Sequence, residues 1–110
     1  MKIGYIGNCN DLKILNKRDI KCNIIVKNNE EFNKVIENLK SGDTVVIPRA
    51  SSVCNDLGKF MLLTYSVLEK DCKLMLALPP LEIDEESDDN KMLILSTAVG
   101  LDLYCKEYGF

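Results

Sequence analysis

The run Thr44-Val45-Val46-Ile47, set between Gly42 and Pro48, most narrows what this chain can become. It is β-branched throughout and shows no alternation of polar and apolar residues. A strand with one wetted face alternates, whereas a strand covered on both faces reads as continuous hydrophobe. Proline cannot donate to a ladder, so Pro48 marks the strand's end. The run therefore predicts an inner strand of a sheet with helices on both sides.

The flanking segments repeat the pattern. Lys2 to Ile6 reads as a first buried strand, followed by Gly7 and a polar loop of Asn8, Cys9, Asn10 and Asp11. Leu12 to Ile20 admits a short helix or an irregular crossing. Ile24, Ile25 and Val26 end a second strand over 22–26. A helix then starts at Asn28 or Asn29, with Glu30 and Glu31 in its first turn. Phe32, Val35, Ile36 and Leu39 recur at helical spacing, and Gly42 is the expected stop. After the Thr44 strand, Asp56 is placed to cap a helix carried by Leu57, Phe60, Met61, Val67 and Leu68. Leu74 to Leu78 reads as a further strand broken by Pro79-Pro80. Strand and helix alternating in this way predict one α/β domain over residues 1–110, three-layered, with a mostly parallel central sheet.

Six acidic residues between Glu82 and Asp89 read as a solvated connection, with Asp88 or Asp89 capping a last helix over about 90–107. That helix is apolar on more than one face, which predicts a second buried surface. Its expected contact residues are Met92, Leu95, Val99 and Leu103. Gly100 costs it about 1 kcal/mol of propensity relative to alanine.

Composition excludes several classes. The formal net charge is −3 and there is no histidine. Residues 1–40 carry a net +3 and residues 41–110 a net −6. This leaves DNA binding weak or absent, since that affinity comes from Lys and Arg on phosphates. Five cysteines without a close pairing, at Cys9, Cys22, Cys54, Cys72 and Cys105, fit a reduced, cytoplasmic protein and give a zinc site no support. No apolar run approaches the roughly 20 residues of a membrane span. Neither metal nor cofactor is expected.

Two segments carry a family resemblance. The stretch Leu39-x-x-Gly42-Asp43-Thr44-Val45-Val46-Ile47, followed by a polar loop and a helix, resembles the N-terminal catalytic domain of serine recombinases of the resolvase/invertase family. Met92 to Gly100 resembles the start of that family's long C-terminal helix. The family's loop reads Asp-Arg-x-x-Arg and grips the scissile phosphate; here the five positions are Ser51, Ser52, Val53, Cys54 and Asn55. Its first strand ends in Tyr-x-Arg-x-Ser, whose serine attacks DNA; here the positions are Tyr5, Ile6, Gly7, Asn8 and Cys9. The resemblance implies a resolvase-like domain with a dimerisation-type helix and no separate DNA-binding domain. It also implies degenerate catalytic positions at Gly7, Cys9, Ser51, Ser52 and Asn55.

With those arginines replaced, and only Arg49 nearby on the strand's last turn, a phosphoryl-transfer site lacks its fixed positive charge. The expected function is a catalytically inactive interaction or regulatory module connected with DNA recombination. Its partner is a second copy or an intact recombinase, met through the last helix. Two alternatives stand beside it. One is a diverged strand transferase using Cys9, whose thiolate would need a cation to lower its pKa. The other is a small-ligand module using the polar rim of Asn8, Cys9, Asn10, Arg49, Ser51, Ser52, Cys54 and Asn55 at the carboxyl ends of the strands.

Overall fold

The structure, a computed structural model, describes residues 1–7 and 9–108; for Cys9 it describes the backbone alone. The sheet has five strands in the order β2-β1-β3-β4-β5. They are β1 (Lys2–Tyr5), β2 (Ile24–Val26), β3 (Thr44–Ile47), β4 (Lys73–Leu76) and β5 (Leu81–Ile83). The pairs β1/β2, β1/β3 and β3/β4 are parallel, and β4/β5 is antiparallel. Val45, Val46 and Ile47 have no exposed surface, as their unbroken hydrophobicity predicts.

Two cores account for the helical layers. On one face Ile3, Tyr5, Val45, Ile47, Leu74 and Leu76 meet Phe32 and Ile36 of α2 (Asn29–Glu37), Phe60 and Val67 of α4 (Leu57–Leu68), and Leu95 and Val99 of α5 (Asp89–Tyr108). On the other, Ile6, Val46 and Ala77 meet Leu15 of α1 (Cys9–Lys17), with Ile14, Ile20, Cys22 and Met75 around them. Gly4 on β1 is required here: a Cβ at that position would stand 2.6 Å from Cys22 Sγ.

Local chemistry sets the helix ends. Asn28 caps α2 by accepting from the Glu31 N–H at 2.8 Å, and Asp56 caps α4 by accepting from the Gly58 N–H at 2.7 Å. The α1 stop is a Schellman motif, with the Ile20 N–H on the Leu15 carbonyl and the Asp19 N–H on that of Asn16. Asp19 sits at φ 55° where glycine is usual. The end of α4 repeats this, with Cys72 bonded to Val67, Asp71 to Leu68, and Asp71 at φ 57°. Lys70 donates to the carbonyls of Ile36 and Glu37, each at 2.7 Å, and so caps the end of α2 with positive charge.

Several expected boundaries are corrected. The first helix begins at Cys9, inside the presumed loop, while α2 ends at Glu37 before Leu39. Gly42, at φ 91°, serves the turn into β3 instead of stopping that helix. The fourth strand ends at Leu76, and a turn over 77–80 leads into β5, whose last two residues overlap the segment read as an acidic connection. The loop after β3 contains a single helical turn, α3 (Ala50–Val53).

The last helix is placed as expected, with Asp88 accepting from the Lys91 N–H at 2.9 Å. Its expected contact residues are not on a free surface. Leu95 and Val99 are 0% and 1% exposed within the single chain, and Met92 and Leu103 pack partly buried against the same core. They face the sheet because they lie on the helix's inner stripe. The outer face carries Leu93, Ile94, Leu101, Tyr104 and Tyr108, each more than half exposed.

Candidate functional site: a charge-balanced cleft between β1 and β3

The chain leaves β1 for β2 on one side and returns to β3 on the other, so the strand order reverses at β1. Loops part at such a point, and the crevice they leave lies beyond the carboxyl ends of the strands. A cleft of about 420 Å³ occupies this place. Tyr5 and Gly7 reach it from β1 and its following loop, and Asn10, Asp11 and Ile14 from α1. Arg49, Ser51 and Ser52 enter from the β3–α3 segment, and Cys105 and Lys106 from α5.

Asp11 organises one wall. It is 2% exposed, and its two oxygens accept from the Gly7 N–H and the Ser52 hydroxyl, both at 2.8 Å. These bonds tie the loop after β1 to the loop after β3. Tyr5 lies beside it, its hydroxyl donating to Asn29 Oδ1 at 3.3 Å and its ring edge-on to Phe32. Burial raises the Tyr5 pKa, and the charges of Asp11 and Cys54 add to the effect.

The opposite wall belongs to α5. The Asp102 side chain, 7% exposed, accepts from Arg49 through both Nε and Nη2 and from the Ser51 N–H at 2.9 Å. One turn on, Lys106 Nζ donates to the Ser51 carbonyl at 2.8 Å and to Asn55 Oδ1 at 3.0 Å. Both backbone polar groups of Ser51 are thus held by the helix. Among the described residues, the cations that line the cleft, Arg49 and Lys106, stand against Asp11 and against Asp102, which holds Arg49 from behind.

Of the residues proposed from sequence, Gly7, Asn10, Arg49, Ser51 and Ser52 come together in this cleft. Asn55 is bound by Lys106 at its margin. Cys54 packs half-buried against the main core as a free thiol, and burial raises its pKa despite Lys59 and Lys106 nearby. Asn8 and the Cys9 side chain lie outside the described residues. Arg49, expected in the polar rim at the strand's end, lines the cleft itself.

Asp11, Asp102, Lys106 and Cys105 were missed. A usable signal exists for Asp102. It continues the inner stripe Leu95, Val99 at helical spacing, so it was bound to be buried and to need a cation, and the chain has only two arginines, Arg18 and Arg49.

Among the described residues no group of three or more Cys, Asp or Glu side chains is placed to hold a metal ion. No described helix is long and apolar enough to cross a membrane. No family model matches the chain, and no curated protein matches it.

Proposed function

We propose that this chain is a catalytically inactive, serine-recombinase-like domain that works as an interaction module in DNA recombination. The observation that carries the reading is the internal neutralisation of the cleft. Exchange of a phosphodiester needs donors and cations aimed at charge that develops in the transition state, and one such donor contributes about 3 kcal/mol. Here Arg49 is committed to Asp102 and Lys106 to Ser51 and Asn55, while the Gly7 N–H and the Ser52 hydroxyl are taken by Asp11. A phosphate entering the cleft would displace carboxylates already in place.

The contact surface in this reading is the outer face of α5. Ile94, Thr97, Leu101, Tyr104 and Tyr108 recur at alternating spacings of three and four, the repeat that lets a helix pack lengthwise against another. The stripe runs for about 21 Å at 1.5 Å per residue. Its partner is a second copy or an intact recombinase.

Two assays test this. Light scattering, alone and after mixing with a serine recombinase, should show association that Leu101→Glu abolishes; a strictly monomeric, non-mixing protein refutes it. Incubation with supercoiled DNA should trap no covalent adduct. An adduct that disappears in Cys9→Ala establishes the strand-transferase alternative instead.

A further inference from the structure

The cleft's two walls are connected through neighbouring residues. Lys106 Nζ holds the Ser51 carbonyl at 2.8 Å, and Asp11 holds the Ser52 hydroxyl at 2.8 Å. With consecutive Cα atoms about 3.8 Å apart, this cation and this carboxylate lie within about 10 Å of each other. Arg49 strengthens the positive side. Its guanidinium is oriented by Asp102, yet its side chain, which lines the cleft, remains 42% exposed.

A simple anion gains from Arg49 and Lys106 but meets the field of Asp11. A simple cation meets the reverse. A molecule carrying both charges about 3 Å apart, with a hydrogen bond of about 2.8 Å at each end, spans up to roughly 8 to 9 Å, enough to reach from Lys106 to the Ser52 hydroxyl that Asp11 holds. The cleft volume, about 420 Å³, lies in the range of small-molecule sites.

We infer that the cleft binds a small zwitterion of the α-amino-acid type. Its carboxylate accepts from the N–H groups of Arg49 and Lys106 that Asp102, Ser51 and Asn55 leave unused. Its ammonium donates to Ser52 Oγ, whose own proton goes to Asp11, so the buried carboxylate acts through the hydroxyl. Tyr5 and Ile14 line the cleft beside these groups and supply surface for a short apolar side chain. This inference rests on the same charge balance as the proposed function and is independent of what covers α5.

The test is a titration of the ¹⁵N-labelled full chain, followed by NMR, with L-alanine, acetate, methylammonium and inorganic phosphate as separate probes. L-Alanine should saturate shifts at the Gly7, Ser51 and Ser52 amides and at Arg49 Nε, at least tenfold more tightly than acetate or methylammonium. Lys106→Gln, at an exposed position, should weaken L-alanine at least tenfold while leaving the rest of the spectrum in place; Ser52→Ala should do the same from the other wall. L-Alanine no tighter than its two halves, or binding indifferent to Lys106→Gln, overturns the inference and leaves the inactive-domain reading standing. Phosphate saturating the same resonances as tightly as L-alanine overturns both.

Discussion

The Arg49–Asp102 pair gives the sharpest handle on the cleft, because its two members are unequally buried. Asp102→Ala removes the acceptor of the Ser51 N–H and of two guanidinium N–H groups. A hydrogen bond to a charged group contributes about 1.5–3 kcal/mol, and Ser51 is only half-buried, so the lower part of that range applies. The ion pair adds little on the arginine side, since a side chain 42% exposed recovers its hydration; about 0.5 kcal/mol is reasonable. The expected cost is about 2 kcal/mol. Arg49→Ala should cost more, about 3 kcal/mol, because it leaves a carboxylate only 7% exposed with the Ser51 N–H as the remaining partner in this arrangement. The double substitution should cost about 3 kcal/mol, well short of the roughly 5 that independent sites would give.

Urea unfolding measures all three, as a shift of midpoint at unchanged slope. A domain of this size should lose roughly 10 °C of Tm for 2 kcal/mol. Asp102→Asn carries a second readout. It moves the local charge balance from zero to +1, so inorganic phosphate should raise the melting temperature of that variant and not of the parent. Additive single costs, or a parent already stabilised by phosphate, would refute the pairing argument.

Gly4→Ala should destabilise by about 1–3 kcal/mol through overpacking, because the new methyl would stand 2.6 Å from Cys22 Sγ; Cys22→Ala in the same chain should restore most of the loss in urea melts. Asp19→Gly should stabilise by about 0.5–1 kcal/mol, since glycine holds φ 55° without the steric cost that a Cβ incurs there; a lower urea midpoint would show instead that the Asp19 side chain matters. Burial raises the Cys54 pKa above its ordinary 9.0, so the fold favours the neutral thiol. That increment of stability is present at neutral pH and is lost as pH rises through the folded pKa. Site-resolved mass spectrometry should find Cys54 alkylated by iodoacetamide far more slowly in the folded chain than in urea at pH 7.5, and equal rates would contradict the assignment.

What the sequence made legible was whatever depends on near neighbours along the chain. Thr44 to Ile47 declares a doubly covered strand without help from elsewhere, and Asn28 and Asp56 declare helix starts because their partners, Glu31 and Gly58, lie two or three residues away. Leu81-Glu82-Ile83 did not, because three residues cannot establish a period. It becomes a strand through pairing with Leu74 to Leu76. The first turn of α1 was hidden for a related reason: Asn10 and Asp11 favour loops in isolation, and it is the bonds of Asp11 to Gly7 and Ser52 that fix them here.

The cleft was half legible, and the missing half follows from helix geometry. The polar rim could be found from the strand ends, but its charges arrive across 41 to 55 positions of sequence, from Asp11 to Ser52 and from Ser51 to Asp102 and Lys106. The inner stripe of α5 reads Leu95, Val99, Asp102, Lys106, at spacings of four, three and four. Over about 16 Å of helix, at 1.5 Å per residue, it passes from the hydrophobic core to the loops beyond the strand ends, and its chemistry changes from apolar to charged at that boundary. The same stripe therefore both anchors the helix and closes the cleft. A shift of α5 by one turn would take Leu95 out of the core and pull Asp102 and Lys106 away from Ser51 together.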